Sequence, residues 1–360
     1  MPADSQPPAA LTPKKRDPVI SCLKGLGMVF IILIHLIDWS NIEWGRMGWE
    51  KWSKEILYVG PLWFIALSGT VVAIAYGRKP LWTATKRLWM RGIQLILIFY
   101  AYNIAKLFLF DFSTEPFYGL PEKSWATVVK ILSFHTFTVP ITIILSIGAF
   151  LLISPIFLWA SKGGTDTKGE ECTEGGKMTL FFLTVLSIIP VYLYEPGASQ
   201  NPLVKFLFSD GYVLYPLLLW LPTFLIGFLW GKLGWQTVAW KALGIFAVLA
   251  ASSLLIDPPS SFALSANEFP IRPYYLWTSF LVLALVAQAF SWLTRRESKL
   301  IQKTIIFLAW LGDKSLFIYI GHWIVIDLTL WAFAPQWRVI WVSVSIFTVG
   351  LFLWPRRVKS

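Results

Sequence analysis

The chain has 360 residues, of which 56% are hydrophobic and only 14% charged, with 21 tryptophans and a formal net charge of +11. This composition excludes a water-soluble domain of that size and points to a polytopic membrane protein. Nucleic acid is set aside as a partner because the positive charge alternates from loop to loop, as membrane topology requires, and forms no binding face.

A spanning helix needs about 20 mostly apolar residues, because lipid offers the backbone amides no partner and each must be satisfied within the segment. Residues 1–18, Pro-rich at their start, read as a disordered cytoplasmic N-terminus. The apolar run after Lys14, Lys15 and Arg16 is too long for a cleaved signal peptide and is predicted to be an uncleaved first span over 19–38. Further spans are predicted over 56–77, 90–110, 137–160, 178–195, 212–231, 239–256, 273–294, 305–333 and 338–354. The fold class is therefore all-α, with about ten transmembrane helices. One transmembrane domain covers 19–354, with a Gly, Thr, Glu and Lys-rich cytoplasmic loop at 161–177 and a tail at 355–360. No repeat is visible at a fixed period.

With both termini in the cytoplasm, 20 of the 31 basic residues fall on the inner loops. Eight fall outside: Arg46, Lys51, Lys54, Lys123, Lys130, Lys205, Arg272 and Arg338. That asymmetry orients the chain by the positive-inside rule. The two cysteines, Cys22 and Cys172, make neither a disulfide framework nor a metal-ligand spacing, so no metal site is expected. The first outer loop gathers Trp39, Trp44, Trp49 and Trp52 around Asn41 and Glu43, as an interfacial aromatic belt or a sugar-stacking surface. The ninth span is interrupted by Gly312, Asp313 and Lys314, so either a short helix lies at the cytoplasmic interface or the span is discontinuous.

Ionisable groups within spans are expensive and read first as functional. His35 and Asp38 stand three residues apart on one face of the first span, where the carboxylate orients the imidazole as a general base. At 1.5 Å per residue His35 lies about 24 Å above Val19, toward the outer half of the bilayer. Its alternative is a structural histidine bonded between helices. Lys24, about 16 Å lower on the same helix, either snorkels to headgroups or meets an anionic ligand. Arg87 and Arg91, four apart, present two guanidinium groups suited to phosphate, though topology alone also places basic residues there. His322, with Ser315 and Tyr319 below it and Asp327 above, is either a second site residue or a satisfied interhelical bond. His135 reads as interfacial packing.

Four stretches together resemble the membrane acyltransferase-3 family and its clan, which includes periplasmic-glucan succinyltransferase-like and heparan-α-glucosaminide N-acetyltransferase-like proteins. Lys24 and His35, separated by ten residues, are similar to the family's basic residue and histidine. Trp63-Phe-Ile-Ala-Leu-Ser-Gly69 resembles its aromatic run ending in Leu-Ser-Gly, and Lys86-Arg87-Leu-Trp-Met-Arg91 its basic lead into the third helix. Leu311-Gly-Asp-Lys-Ser-Leu-Phe-Ile-Tyr-Ile-Gly-His322 resembles its late Gly, Ser, Tyr and His pattern. Two positions depart: the usual arginine is Lys24, and the acidic residue three before it is Ser21.

The resemblance implies an acyl-CoA-dependent membrane acyltransferase of a cytoplasmic (bacterial inner) membrane. It would move a short acyl group, acetyl by expectation, from cytoplasmic acyl-CoA to a carbohydrate hydroxyl or amino sugar on an extracytoplasmic glycan or glycolipid. Acyl-CoA is then a donor substrate, with no cofactor permanently bound, and membrane lipid surrounds the protein. In this scheme Lys24, Arg87 and Arg91 hold the donor, His35 and Asp38 remove the acceptor proton, and His322 or Tyr319 steadies the oxyanion. The competing reading is a transporter or flippase of a lipid-linked or amphipathic substrate, which ten spans and a broken ninth helix also suit.

Overall fold

A computed structural model describes residues 17–39, 56–109, 122–133, 142–163, 173–193, 207–208, 215–256 and 271–332. Of 36–39, 235, 237–239 and 329–332 the backbone alone is described. The described residues form eleven helices and no strand: α1 Pro18–Trp39, α2 Val59–Tyr76, α3 Leu81–Leu109, α4 Trp125–Leu132, α5 Thr142–Ser161, α6 Glu174–Leu193, α7 Leu217–Leu233, α8 Trp235–Ile256, α9 Pro273–Leu293, α10 Lys299–Asp313 and α11 Ser315–Ala332.

The protein is all-α, and six helices are long and apolar enough to cross a membrane: α1, α2, α3, α5, α6 and α9. The pair α10 and α11 makes a seventh if taken as one broken span, bent by 78°. The sixth and seventh sequence-predicted spans appear as shorter apolar stretches, Leu217–Leu233 and Trp240–Ile256, and the tenth, at 338–354, lies outside the described residues, as do His135, Cys172 and the tryptophans after Trp39 in the first outer loop.

Helix α3 begins nine residues before the expected start of its span. Pro80 precedes its first residue, and Lys86, Arg87 and Arg91 are good helix formers whose charged ends reach water while their stems stay apolar. Its 29 residues span about 44 Å, the thickness of a bilayer with its headgroups. Helix α4 was not expected. Ser124 caps it by accepting the Thr127 N–H, and Val128 and Ile131 pack on Leu107 of α3 while Trp125 stays exposed.

Lipid gives helices no hydrophobic reason to associate, so they hold by close backbone approach at small residues. Three such contacts organise the bundle. A Cβ at Gly227 of α7 would lie 1.9 Å from the Ala66 carbonyl oxygen of α2, and one at Gly69 would lie 2.1 Å from that of Phe224. The Thr70 hydroxyl donates to the Gly227 carbonyl at 2.8 Å across the same seam. Gly92 and Gly148 face one another between α3 and α5. At the third seam, Gly25 of α1 and Gly312 of α10 leave room for the Leu308 and Ser21 carbonyls, which a Cβ would meet at 1.9 and 1.8 Å. Trp63, fully buried, ties α2 to α9 by donating its indole N–H to the Ser279 carbonyl at 3.1 Å.

Gly227→Ala is expected to destabilise the protein by about 1–3 kcal/mol or more, since the obstacle is backbone on both sides. Gly244→Ala, where a Cβ meets nothing within 4 Å, should be neutral or slightly stabilising. Thermal unfolding of the two variants in the same detergent checks the contrast.

Candidate functional site

The α1–α10 seam fixes the lower end of the site. Beside the Gly25 and Gly312 contact, the Ser21 hydroxyl donates to Asp313 Oδ1 at 3.0 Å and the Cys22 thiol to the Ile305 carbonyl at 3.3 Å. The chain then turns at Lys314, and α11 carries Ser315, Tyr319 and His322 up beside α1.

There His35 and His322 meet, with His35 Nδ1 at 3.0 Å from His322 Nε2. Their rings are nearly parallel, 15° apart, with centroids 5.2 Å apart. Trp323 covers His35 at 4.4 Å, and Tyr319 meets His322 edge-on at 5.2 Å while stacking on Phe64 of α2 at 6.0 Å. His322 is buried and His35 half-buried.

Proton accounting assigns the tautomers. His322 Nδ1 lies 3.3 Å from the Ile318 carbonyl oxygen, which only accepts, so Nδ1 carries a proton and donates it. In the neutral ring Nε2 is then a lone pair, and His35 Nδ1–H donates to it. His35 is left with an unprotonated Nε2. The hydrogen bonds from a backbone carbonyl through two imidazoles therefore end in one unprotonated nitrogen, which can accept a proton and is reached without a buried charge.

Of the residues singled out in the sequence, His35, Tyr319 and His322 come together. The contact on His35 Nδ1 is His322; Asp38 lies in the last turn of α1, and its side chain is outside the described residues. Lys24, half-buried, is eleven residues before His35, which places it three turns down and only about 20° round the helix. Arg87 and Arg91 are exposed on the first turns of α3, about 16 Å or more along that helix from Tyr102. Lys79 joins them. Its ammonium lies 4.6 Å over the Tyr76 ring, and partial desolvation with Arg87 and Arg91 close by lowers its pKa below the usual lysine value. Buried Lys162 donates to the Lys79 carbonyl at 2.8 Å. The end of the bundle where α2 passes into α3 thus gathers cations from three segments.

The sequence reading missed the polar group above the histidines. Lys106 of α3 and Asp327 of α11, both buried, pair at 2.7 Å, and Tyr102 donates to the other carboxylate oxygen at 2.5 Å. Asp327 is five residues beyond His322, about 7.5 Å along α11. The available signal was a lysine and an aspartate each inside a predicted span, since such groups pair with one another. Lys106→Met alone should cost about 3–5 kcal/mol, because it strands a buried carboxylate, whereas Lys106→Met with Asp327→Leu should cost clearly less than that. Chemical unfolding of the single and double variants in mixed micelles measures the difference.

Compared with known proteins, the chain matches no family model and no curated protein.

Proposed function

We propose that this protein is a ten-span membrane acyltransferase with both termini in the cytoplasm of a bacterial-type inner membrane, taking a short acyl group from cytoplasmic acyl-CoA to a carbohydrate hydroxyl or amine on the far side. The observation that carries the proposal is the His35–His322 pair, which leaves one basic nitrogen in an apolar setting three turns above Lys24 on the same face of α1. Cations at the inner end suit the phosphates of an anionic nucleotide: Lys24 on α1, Arg87 and Arg91 on α3, with Lys79 beside the arginines. The resemblance of four stretches to the acyltransferase-3 clan adds to it.

In this mechanism the acceptor oxygen or nitrogen attacks the thioester carbonyl carbon as His35 Nε2 takes its proton. The new imidazolium shares its Nδ1 proton with His322. Tyr319 or His322 steadies the oxyanion, and Asp38, one turn beyond His35 on α1, has an orienting role only. Collapse of the tetrahedral species breaks the carbon–sulfur bond, and the proton on His35 goes to the departing coenzyme A thiolate. A covalent acyl-histidine is the variant, with Nε2 as nucleophile.

A second reading, transport or flipping of an amphipathic substrate, is favoured by the 78° break between α10 and α11 and by the buried Lys106–Asp327 pair. It requires neither acyl-CoA nor a basic His35 nitrogen.

The test is acyl-CoA-dependent transfer of label to the extracytoplasmic glycan and lipid fraction of membranes carrying the protein. His35→Ala at matched expression should lower transfer by about 10²–10⁴-fold. Equal transfer removes His35 from the chemistry, and none from the wild type directs attention to transport. Substitutions at His322 should rank by whether they still accept from His35: His322→Gln retains more activity than His322→Phe, as initial rates at saturating donor would show.

A further inference from the structure

On the other side of α1 the described residues line an open cavity of about 550 Å³ that the proposed reaction leaves unused. It lies among the start of α1 at Val19, the start of α8 at Gln236 and Trp240, and the end of α9 with the turn after it, from Gln288 to Arg295. Val19 is sixteen residues before His35, about 24 Å lower and about 160° round the helix, so the body of α1 separates the cavity from the histidine pair. A donor seated in it would point its reactive end away from His35.

The polar lining narrows the occupant. The hydroxyls of Ser291 and Thr294 already donate to the Ala287 and Ser291 carbonyls, which leaves them as acceptors. Gln236 reaches Asp17 at 3.5 Å, and Asp17 in turn caps α1 by accepting the Val19 N–H. Among the donors left for a ligand are the Gln288 amide and the Arg295 guanidinium, beside the indole N–H groups of Trp240 and Trp292. No carboxylate among the described residues pairs with Arg295, while its neighbour Arg296 stacks on the Trp292 ring at 4.0 Å. A guanidinium with an adjacent amide matches two oxygens of a phosphodiester.

The walls of the cavity say what carries that phosphodiester. Trp240 and Trp292 flank it and are 74% and 55% exposed, the amphipathic placement of rings at a membrane interface. Beyond them Ala289 and Leu285 of α9 and Gly244 and Val248 of α8 are exposed on two helices that pack on one another, so apolar surface continues from the cavity along both. A polar pocket continued by apolar helix surface has the profile of a double-chained amphiphile. We propose that this cavity is a binding site for the phosphodiester headgroup of a membrane phospholipid, with Arg295 and Gln288 on the phosphate and the acyl chains along α8 and α9.

The protein would be reconstituted in vesicles of phosphatidylethanolamine and phosphatidylglycerol, extracted into mild detergent and weighed intact by native mass spectrometry. Wild type should retain a phospholipid, and Arg295→Gln should lower its occupancy about fivefold, the effect of one interfacial cation. Trp240→Ser, on another helix, should lower it as well, and the charge-matched control Lys86→Gln should not. Equal occupancy in all four proteins overturns the proposal. So does displacement of the lipid by inorganic phosphate or by coenzyme A, which would make the cavity a soluble-phosphate or nucleotide site. The readout involves no acyl transfer, so its failure and that of the proposed reaction are separable.

Discussion

The position of the histidine pair depends on a contact more than two helical turns below it. At Gly25 and Gly312 the backbones of α1 and α10 come so close that each carbonyl occupies the space of the other helix's missing side chain. Lipid competes for no backbone hydrogen bond and drives no apolar association, so such an approach, with its dispersion and its weak polar contacts, is what registers one helix on another. Once α10 is fixed there, the turn at Lys314 sets where α11 starts, and the rigid rise of α11 delivers His322 to His35. The other two glycine seams, between α2 and α7 and between α3 and α5, do the same for the helices behind the site.

The two polar layers above that seam solve the cost of burial in opposite ways. The histidines are linked through neutral tautomers, with each donor meeting an acceptor from the Ile318 carbonyl up to His35 Nδ1, so no charge has to be buried at rest. Lys106 and Asp327 are charged, and they are tolerable only together, with Tyr102 filling the second carboxylate oxygen. Both layers join α11 to a different helix, α1 for the histidines and α3 for the ion pair. A segment that begins just after a 78° break is thereby held by side chains at two heights. This arrangement holds His322 of α11 in place beside α1.

Much of this was legible in the sequence because hydropathy and charge asymmetry are read segment by segment. Six helices appear where long apolar runs stand, and the interruption at Gly312–Lys314 appears as a break. What failed was of two kinds. Helix ends drifted where basic residues continue a helix past its apolar stretch, as at Leu81–Arg91 of α3, because snorkelling side chains hide helical backbone from a hydropathy window. The short amphipathic α4 was passed over for the same reason, being half polar and half apolar. Pairings between distant positions were the other failure. Lys106 and Asp327 each stand inside a predicted span, but nothing local to either says that its partner is 221 residues away, and the spacing of His35 gives no sign of His322 on another helix. Sequence spacing sees neighbours on one helix; it is blind to which helix faces which.

The resting neutrality of the pair has a consequence for when the site becomes reactive. A proton taken up by His35 creates an imidazolium in an apolar layer, and the only described relief is the bond to His322, itself anchored to a backbone carbonyl. That charge is costly to hold, so the protonated state is short-lived unless an anion arrives with it. In the proposed acyl transfer a tetrahedral oxyanion beside Nε2 would be such an anion, formed at the step that delivers the proton. The same low dielectric that disfavours the lone imidazolium strengthens the pair, so the apolar shell of Trp323, Phe64 and Tyr319 stabilises charge only when both signs form together. In the proposed reaction Trp323, which covers His35, would limit the water that shares the charge.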